Sequence, residues 1–341
     1  MKLNKLFIAL SVASMAFASC ENELVQDVEL DIAIETNDNV QFDGKTITVK
    51  QGTPIPFKVG GDPDFLTFFS GEAGKKYAYR DRTVVDPNEI ESSILSFGLE
   101  KKWGASTTSM FEVMLSDEFP GLYLNDFEAD SIQVEEYYNN NKWQMIVTNN
   151  DMPELNKTKN YNIDLTNYLG KRITLAARYE GLANTAVQSR VTFLNLQIIN
   201  KMTDGAETTL TASSLGLTPV NMLNKHNLSD QAKMTSNREY GTFNASDIAG
   251  IWNFKSMTSF YIQSTPAAGP LKYSWLVSSL FVPNGCTPDS GTAIKSLHQR
   301  LNAYNYTYNT PGTYTATFVA TNGNYKQETS VVKEYTVVVT E

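Results

Sequence analysis

Histidine and cysteine are nearly missing from this chain, with two of each in 341 residues. His226 and His298 lie in stretches of unlike character, which argues against a metal centre built on paired histidines. No Gly-x-Ser-x-Gly elbow, His-Glu-x-x-His helix or P-loop occurs, so the usual marks of a hydrolase, a zinc protease or a nucleotide-binding enzyme are missing. Clustered Lys and Arg are missing too. The net charge is −9, and nothing in the chain is arranged to neutralise phosphates, which excludes a nucleic-acid partner. Nor is there an apolar run of about 20 residues, the length a membrane-spanning helix needs.

The one charge-free apolar stretch, Leu6–Phe17, follows Lys2 and Lys5 and ends in Ala18-Ser19-Cys20. A short positive region, an apolar core and small residues are the parts of a secretory signal, here residues 1–19. Its end, Phe17-Ala18-Ser19-Cys20, resembles a bacterial lipobox of the loose Bacteroidetes kind, although Phe17 stands where Leu is preferred. That resemblance implies lipidation of Cys20 and anchoring to outer-membrane lipid through acyl chains. The alternative is an ordinary signal peptide with a chance cysteine. Glu21, Asn22 and Glu23 resemble the acidic signal that sends such lipoproteins to the outer face of the outer membrane. Processing would remove two lysines and take the charge from −9 to −11. It would also leave Cys286 without a disulfide partner, in the turn Asn284-Gly285-Cys286-Thr287-Pro288, where a structural role is expected.

The mature part has the texture of an all-β protein. Ile47–Val49, Ile55–Val59 and Phe65–Phe69 are short β-branched or aromatic runs separated by Gly and Pro. Tyr314, Ala316, Phe318 and Ala320 alternate with Thr315, Thr317 and Val319. The helical period is sustained only briefly, and Asp86–Ser96 and Asp289–Leu301 are the best short candidates. Many short strands between turn signals predict β-sandwich architecture.

Residues 304–320, with Tyr308-Asn309-Thr310-Pro311-Gly312-Thr313-Tyr314, resemble the second half of a PKD (polycystic kidney disease) repeat. Ile47–Phe57 resembles its opening strands, and Phe68-Phe69-Ser70-Gly71-Glu72 stands at its Trp-x-Phe-Gly-Asp-Gly turn. Between them, Leu115–Gly121, Asn162–Tyr179 and Trp275–Ser278 resemble jelly-roll domains of bacterial adhesins and carbohydrate-binding modules. These resemblances imply an Ig/PKD-like β-sandwich with a jelly-roll β-sandwich inserted in it. The expected order is signal peptide 1–19, lipidated tether 20–30, first PKD-like half 31–85, jelly roll 86–282 and second PKD-like half 283–341. Two tandem domains are the alternative. The combination resembles Bacteroidetes surface lipoproteins of uncharacterised domain type. Many of those serve as surface glycan-binding proteins of Sus-like polysaccharide utilisation systems, beside an outer-membrane importer.

Aromatics beside turn residues are the expected sugar platforms, because sugar C–H faces pack on Trp and Tyr while amides bond the hydroxyls. Tyr137, Tyr138 and Trp143 bracket the Asn-rich turn Asn139-Asn140-Asn141; Trp103 and Trp252 are further candidates. Each could instead be a core plug. Asp126, Glu128 and Asp130 alternate and would share one face of an extended segment, suiting a structural calcium ion or a solvated surface. No other cofactor is implied. The expected function is non-catalytic capture of a poly- or oligosaccharide at the cell surface. An adhesion or structural protein binding a protein partner is the alternative, and a polysaccharide hydrolase or lyase a third reading.

Overall fold

The computed structural model describes residues 27–105, 107–222, 239–243, 247–323 and 328–341; the signal segment, Cys20 and His226 lie outside them. It is 48% strand and 10% helix, an all-β protein of sandwich-like antiparallel layers. The chain opens with β1 (Asp31–Ile34), β2 (Val40–Phe42), β3 (Thr46–Lys50), β4 (Pro54–Gly60) and β5 (Phe65–Phe69). β6 (Ile90–Lys102), β7 (Ser109–Ser116), helix α1 (Phe127–Asn139), β8 (Gln144–Val147), β9 (Lys157–Asp164) and β10 (Thr174–Gly181) follow. Next come β11 (Arg190–Met202), β12 (Glu207–Thr211), β13 (Thr218–Asn221), β14 (Trp252–Asn253), β15 (Ser259–Ile262) and β16 (Tyr273–Val277). The last are β17 (Thr292–Lys295), β18 (Ala303–Thr307), β19 (Gly312–Gly323) and β20 (Glu328–Thr340). No described helix is long and apolar enough to cross a membrane.

Contacts divide the chain into two compact units, one of residues up to 81 together with 288–341, the other of 82–287. The first is built from the sheets β1-β4-β18 and β17-β5-β19-β20-β3-β2, antiparallel throughout except where β20 runs parallel to β3. Period-two alternation drives its core: Ile47 and Val49, Ile55 and Phe57, Leu66 and Phe68, and Ala316, Phe318 and Ala320 are all buried. Each large side chain so buried contributes roughly 1.5–3 kcal/mol. Val28 and Leu30 are buried in the same core, so the fold begins ahead of residue 31 and takes in the end of the expected tether. The turn Ser70-Gly71-Glu72 needs its glycine, since φ is +80° and a Cβ would stand 2.6 Å from the Thr315 carbonyl oxygen. Tyr306 donates to Glu72, and Tyr308 donates to the Ser70 carbonyl at 2.8 Å, which ties that turn to β18 and the residue after it.

The second unit stacks the sheet β13-β16-β10-β7-β8 against β14-β15-β11-β6-β9, with β12 added on β11. Leu95, Phe97 and Leu99 of β6, Phe111, Val113 and Leu115 of β7, and Val191 and Phe193 of β11 fill the space between. Strand β10 is buried on both faces, because α1 and its flanking loops cover the far side of its sheet. That helix falls where the sequence pattern suggested an extended segment. Asp126 is its N-cap, accepting from the Ala129 N–H at 3.0 Å, and Glu128 and Asp130 occupy the favourable first turn. The two segments with the best helical pattern are not α-helical. Asp86 caps only a single tight turn at Pro87–Glu89 before β6 begins, and 289–301 contains β17.

Candidate functional site

Two of the candidate aromatics have no face to offer. Trp143 is 5% exposed, its ring 4.8 Å from that of Phe119 and 6.1 Å from that of Trp275. The Asn-rich turn causes this: the Lys142 N–H returns to the Tyr137 carbonyl at 2.8 Å, which drives Trp143 under the helix. Trp252 is wholly buried in the inter-sheet core and donates from Nε1 to Ser274 Oγ at 3.1 Å. Tyr137 and Tyr138 are half-buried. The first packs edge-on to Phe119 and the second donates to Glu112 at 2.9 Å.

The acidic trio is not gathered either. A helix turns position 128 to the side opposite 126 and 130, where a strand would align all three. Asp130 is completely buried and its oxygens accept from the Tyr123 N–H at 2.7 Å, the Leu124 N–H at 2.9 Å and the Tyr240 hydroxyl at 2.7 Å. It therefore works as an internal brace for the loop before α1. Among the described residues no group of three or more His, Cys, Asp or Glu is placed to hold a metal ion.

A polar network lies beneath α1. Arg178 of β10 bonds Glu112 of β7 at 3.3 Å and also Glu180, while its Nε donates to Tyr273 at 3.1 Å. Glu135 of α1 accepts from the Tyr273 hydroxyl and from Trp275 Nε1 at 3.0 Å. Burial, reinforced by Glu112 and Glu135 respectively, holds the phenols of Tyr138 and Tyr273 above their ordinary range, so both remain donors at neutral pH. The network clamps helix to sheet and leaves little free chemistry.

Trp103 is different. It is 47% exposed, directly after β6, in the left-handed conformation at φ +58°, which for an aromatic residue costs on the order of 1 kcal/mol or more. Gly104 follows at φ +77°, where a Cβ would meet the Val187 carbonyl oxygen at 2.3 Å. Ser189 Oγ fixes the Trp103 carbonyl at 2.9 Å. Register then supplies the neighbours: Arg190 pairs with Lys102, and Tyr261 of β15 with Thr192. The Arg190 guanidinium carbon lies 3.4 Å from the Tyr261 ring centroid and 5.7 Å from that of Trp103. The Tyr261 hydroxyl donates to Asp247 at 2.7 Å. Burial first and this bond second raise its phenol above the ordinary range, against the opposing charge of Arg190. The outcome is an exposed indole beside a stacked guanidinium and a phenol, a surface able to stack a ring and bond its edge.

Residues 19–216 match a family described as a domain of unknown function, DUF5017, which spans more than half of the chain. The chain belongs to the DUF5017 family. Comparison with curated proteins and with solved structures gives no match. The DUF5017 span includes Trp103 and Arg190, whereas Asp247 and Tyr261 lie beyond it. Sequence reasoning reached Trp103 through the Trp-Gly pair at a turn but missed Arg190 and Tyr261, whose only signal is their outward position in alternating strands. It also missed Tyr123 and Leu124, 61% and 53% exposed, beside a small cleft of about 150 Å³ lined in part by Gly121, Ser279 and Leu280.

Proposed function

We propose that this DUF5017 protein is a non-catalytic, cell-surface glycan-binding lipoprotein, held to the outer membrane through Cys20 and delivering captured oligosaccharide to an importer. The observation that carries the reading is Trp103: a large aromatic side chain kept half in solvent on a strained backbone, where core packing gives no reason for it. The carboxylates support a binding role over a catalytic one. Glu112, Glu135 and Glu180 are engaged by Arg178, Tyr138, Tyr273 and Trp275, and Asp130 by backbone N–H groups. The anchor would be short, because Val28 is already in the core and only Glu21–Gln26 separate it and Asp27 from Cys20.

The test is electrophoresis of the chain from Glu21, which keeps every described residue, through gels containing candidate polysaccharides. One glycan retards the wild-type protein without releasing sugar. Trp103→Asn, whose side chain tolerates the left-handed backbone, loses that retardation at an unchanged melting temperature. Retardation unaffected by Trp103→Asn removes this platform. Sugar release moves the reading to a hydrolase or lyase, and no retardation by any glycan moves it to adhesion through a protein partner.

A further inference from the structure

Stacking a neutral sugar requires no cation, yet the patch at Trp103 holds one. Resting on the glycan-binding reading above, we infer that Arg190 makes this site selective for anionic sugars, with its guanidinium edge receiving a uronate carboxylate while Trp103 stacks the ring. The guanidinium carbon lies over two aromatic rings, 3.4 Å from the Tyr261 centroid and 5.7 Å from that of Trp103. Stacking of this kind fixes the plane of the group and leaves its edge as the hydrogen-bonding surface. Among the described residues no carboxylate pairs with Arg190, and its Nε is buried without a hydrogen-bond partner.

Two other cations of the same unit are paired. Arg178 is met by both Glu112 and Glu180, and Lys102, directly across the strand pair from Arg190, is neutralised by Glu100 at 3.1 Å. Asp247 stands on the far end of the Tyr261 ring, but its Oδ1 accepts from the Tyr261 hydroxyl and from Asn253 Nδ2 at 3.3 Å. The chain carries 37 acidic residues against 28 basic ones, so an arginine without a carboxylate is not a shortage of partners. A planar, always-charged fork presented beside an exposed indole fits the carboxylate of a hexuronic acid, which offers two acceptor oxygens in line with the fork and a C–H face for the ring.

The experiment is calorimetric titration of the chain from Glu21 with a panel of uronate trisaccharides, trigalacturonate and triglucuronate, each paired with its uncharged methyl ester. Wild type binds one acid at least about tenfold more tightly than its ester, and the difference shrinks as salt rises. Arg190→Gln weakens the acid more than the ester and abolishes the acid's advantage. Arg190→Lys, which keeps the charge and loses the fork, falls between. The melting temperature of each variant checks that the fold is retained. Equal binding of acid and ester, with both abolished by Trp103→Asn, overturns the anionic selectivity while the glycan platform stands. So does an acid preference that survives Arg190→Gln. Binding of no member of the panel, with retardation by a neutral polysaccharide alone, overturns it as well. Failure to bind any glycan, charged or neutral, removes the platform and the selectivity together.

Discussion

Asp130→Asn tests whether this carboxylate is a brace or an ion ligand. One oxygen of Asp130 takes the Tyr123 N–H, and the other takes the Leu124 N–H and the Tyr240 hydroxyl. An asparagine keeps a single acceptor. If its oxygen stays with Leu124 and Tyr240, its amide nitrogen confronts the Tyr123 N–H, donor against donor. One charge-assisted bond is lost, worth about 1.5–3 kcal/mol, and a donor is left unsatisfied in a site with no solvent access. The expected destabilisation is about 3 kcal/mol, which in a unit of this size lowers the melting temperature by roughly 6–12 °C. Trp143 and Trp275 sit in the cluster packed beneath α1, so near-ultraviolet circular dichroism during heating follows the affected region. A drop of less than about 2 °C would refute the brace, because it falls below a single lost bond. A melting temperature that rises with calcium and falls with a chelator in the wild type, but not in the variant, would show that Asp130 holds an ion.

Gly104→Ala puts a methyl group 2.3 Å from a backbone oxygen at φ +77°, so it should cost about 2 kcal/mol or more and displace Trp103; thermal melting and glycan retardation fall together. Cys20→Ser should move the protein from the membrane fraction to the soluble one and abolish labelling by a radioactive fatty acid. Asp43, Asp151 and Asp164 have carboxyl groups held below the ordinary value of 3.8. Asp43 accepts from the backbone of Thr46 and Lys45, and the others from Thr148 and Thr166. Depressed folded-state values give stability that is present above pH about 4 and lost as pH falls through them. Acid titration of stability in Asp43→Asn, Asp151→Asn and Asp164→Asn combined should therefore be flatter below pH about 4 than in wild type.

Strands with a single buried face were legible at β19, whereas the start of β6, also buried on one face, carried a helical pattern. Ala316, Phe318 and Ala320 announce β19 by alternation and are all in the core. Helix α1 was hidden because its inner face is partly polar: Asp130 and Gln133 are buried along with Val134, so the 3.6-residue period does not show in hydrophobicity. The even spacing of its first acids then imitated a strand. At the site, Trp103 could be read from its glycine neighbour, whereas Arg190 and Tyr261 come together only through the pairing of β11 with β6 and with β15. Trp143 was misleading for the opposite reason, since a turn that folds back buries the residue that follows it.

The split of the first unit sets an order of events during synthesis. β4 and β5 leave the ribosome early carrying Ile55, Phe57, Leu66 and Phe68, but their partners β18 and β19 are made only after the whole of 82–287. β5 waits without either neighbour, and β4 with β1 alone, through the production of the second unit, whose described strands lie in one continuous stretch. The second unit can therefore mature first and the first unit closes last, when β20 arrives alongside β3. A chain stopped short of β20 would keep the Trp103 surface yet leave residues 46–69 with aggregation-prone edges.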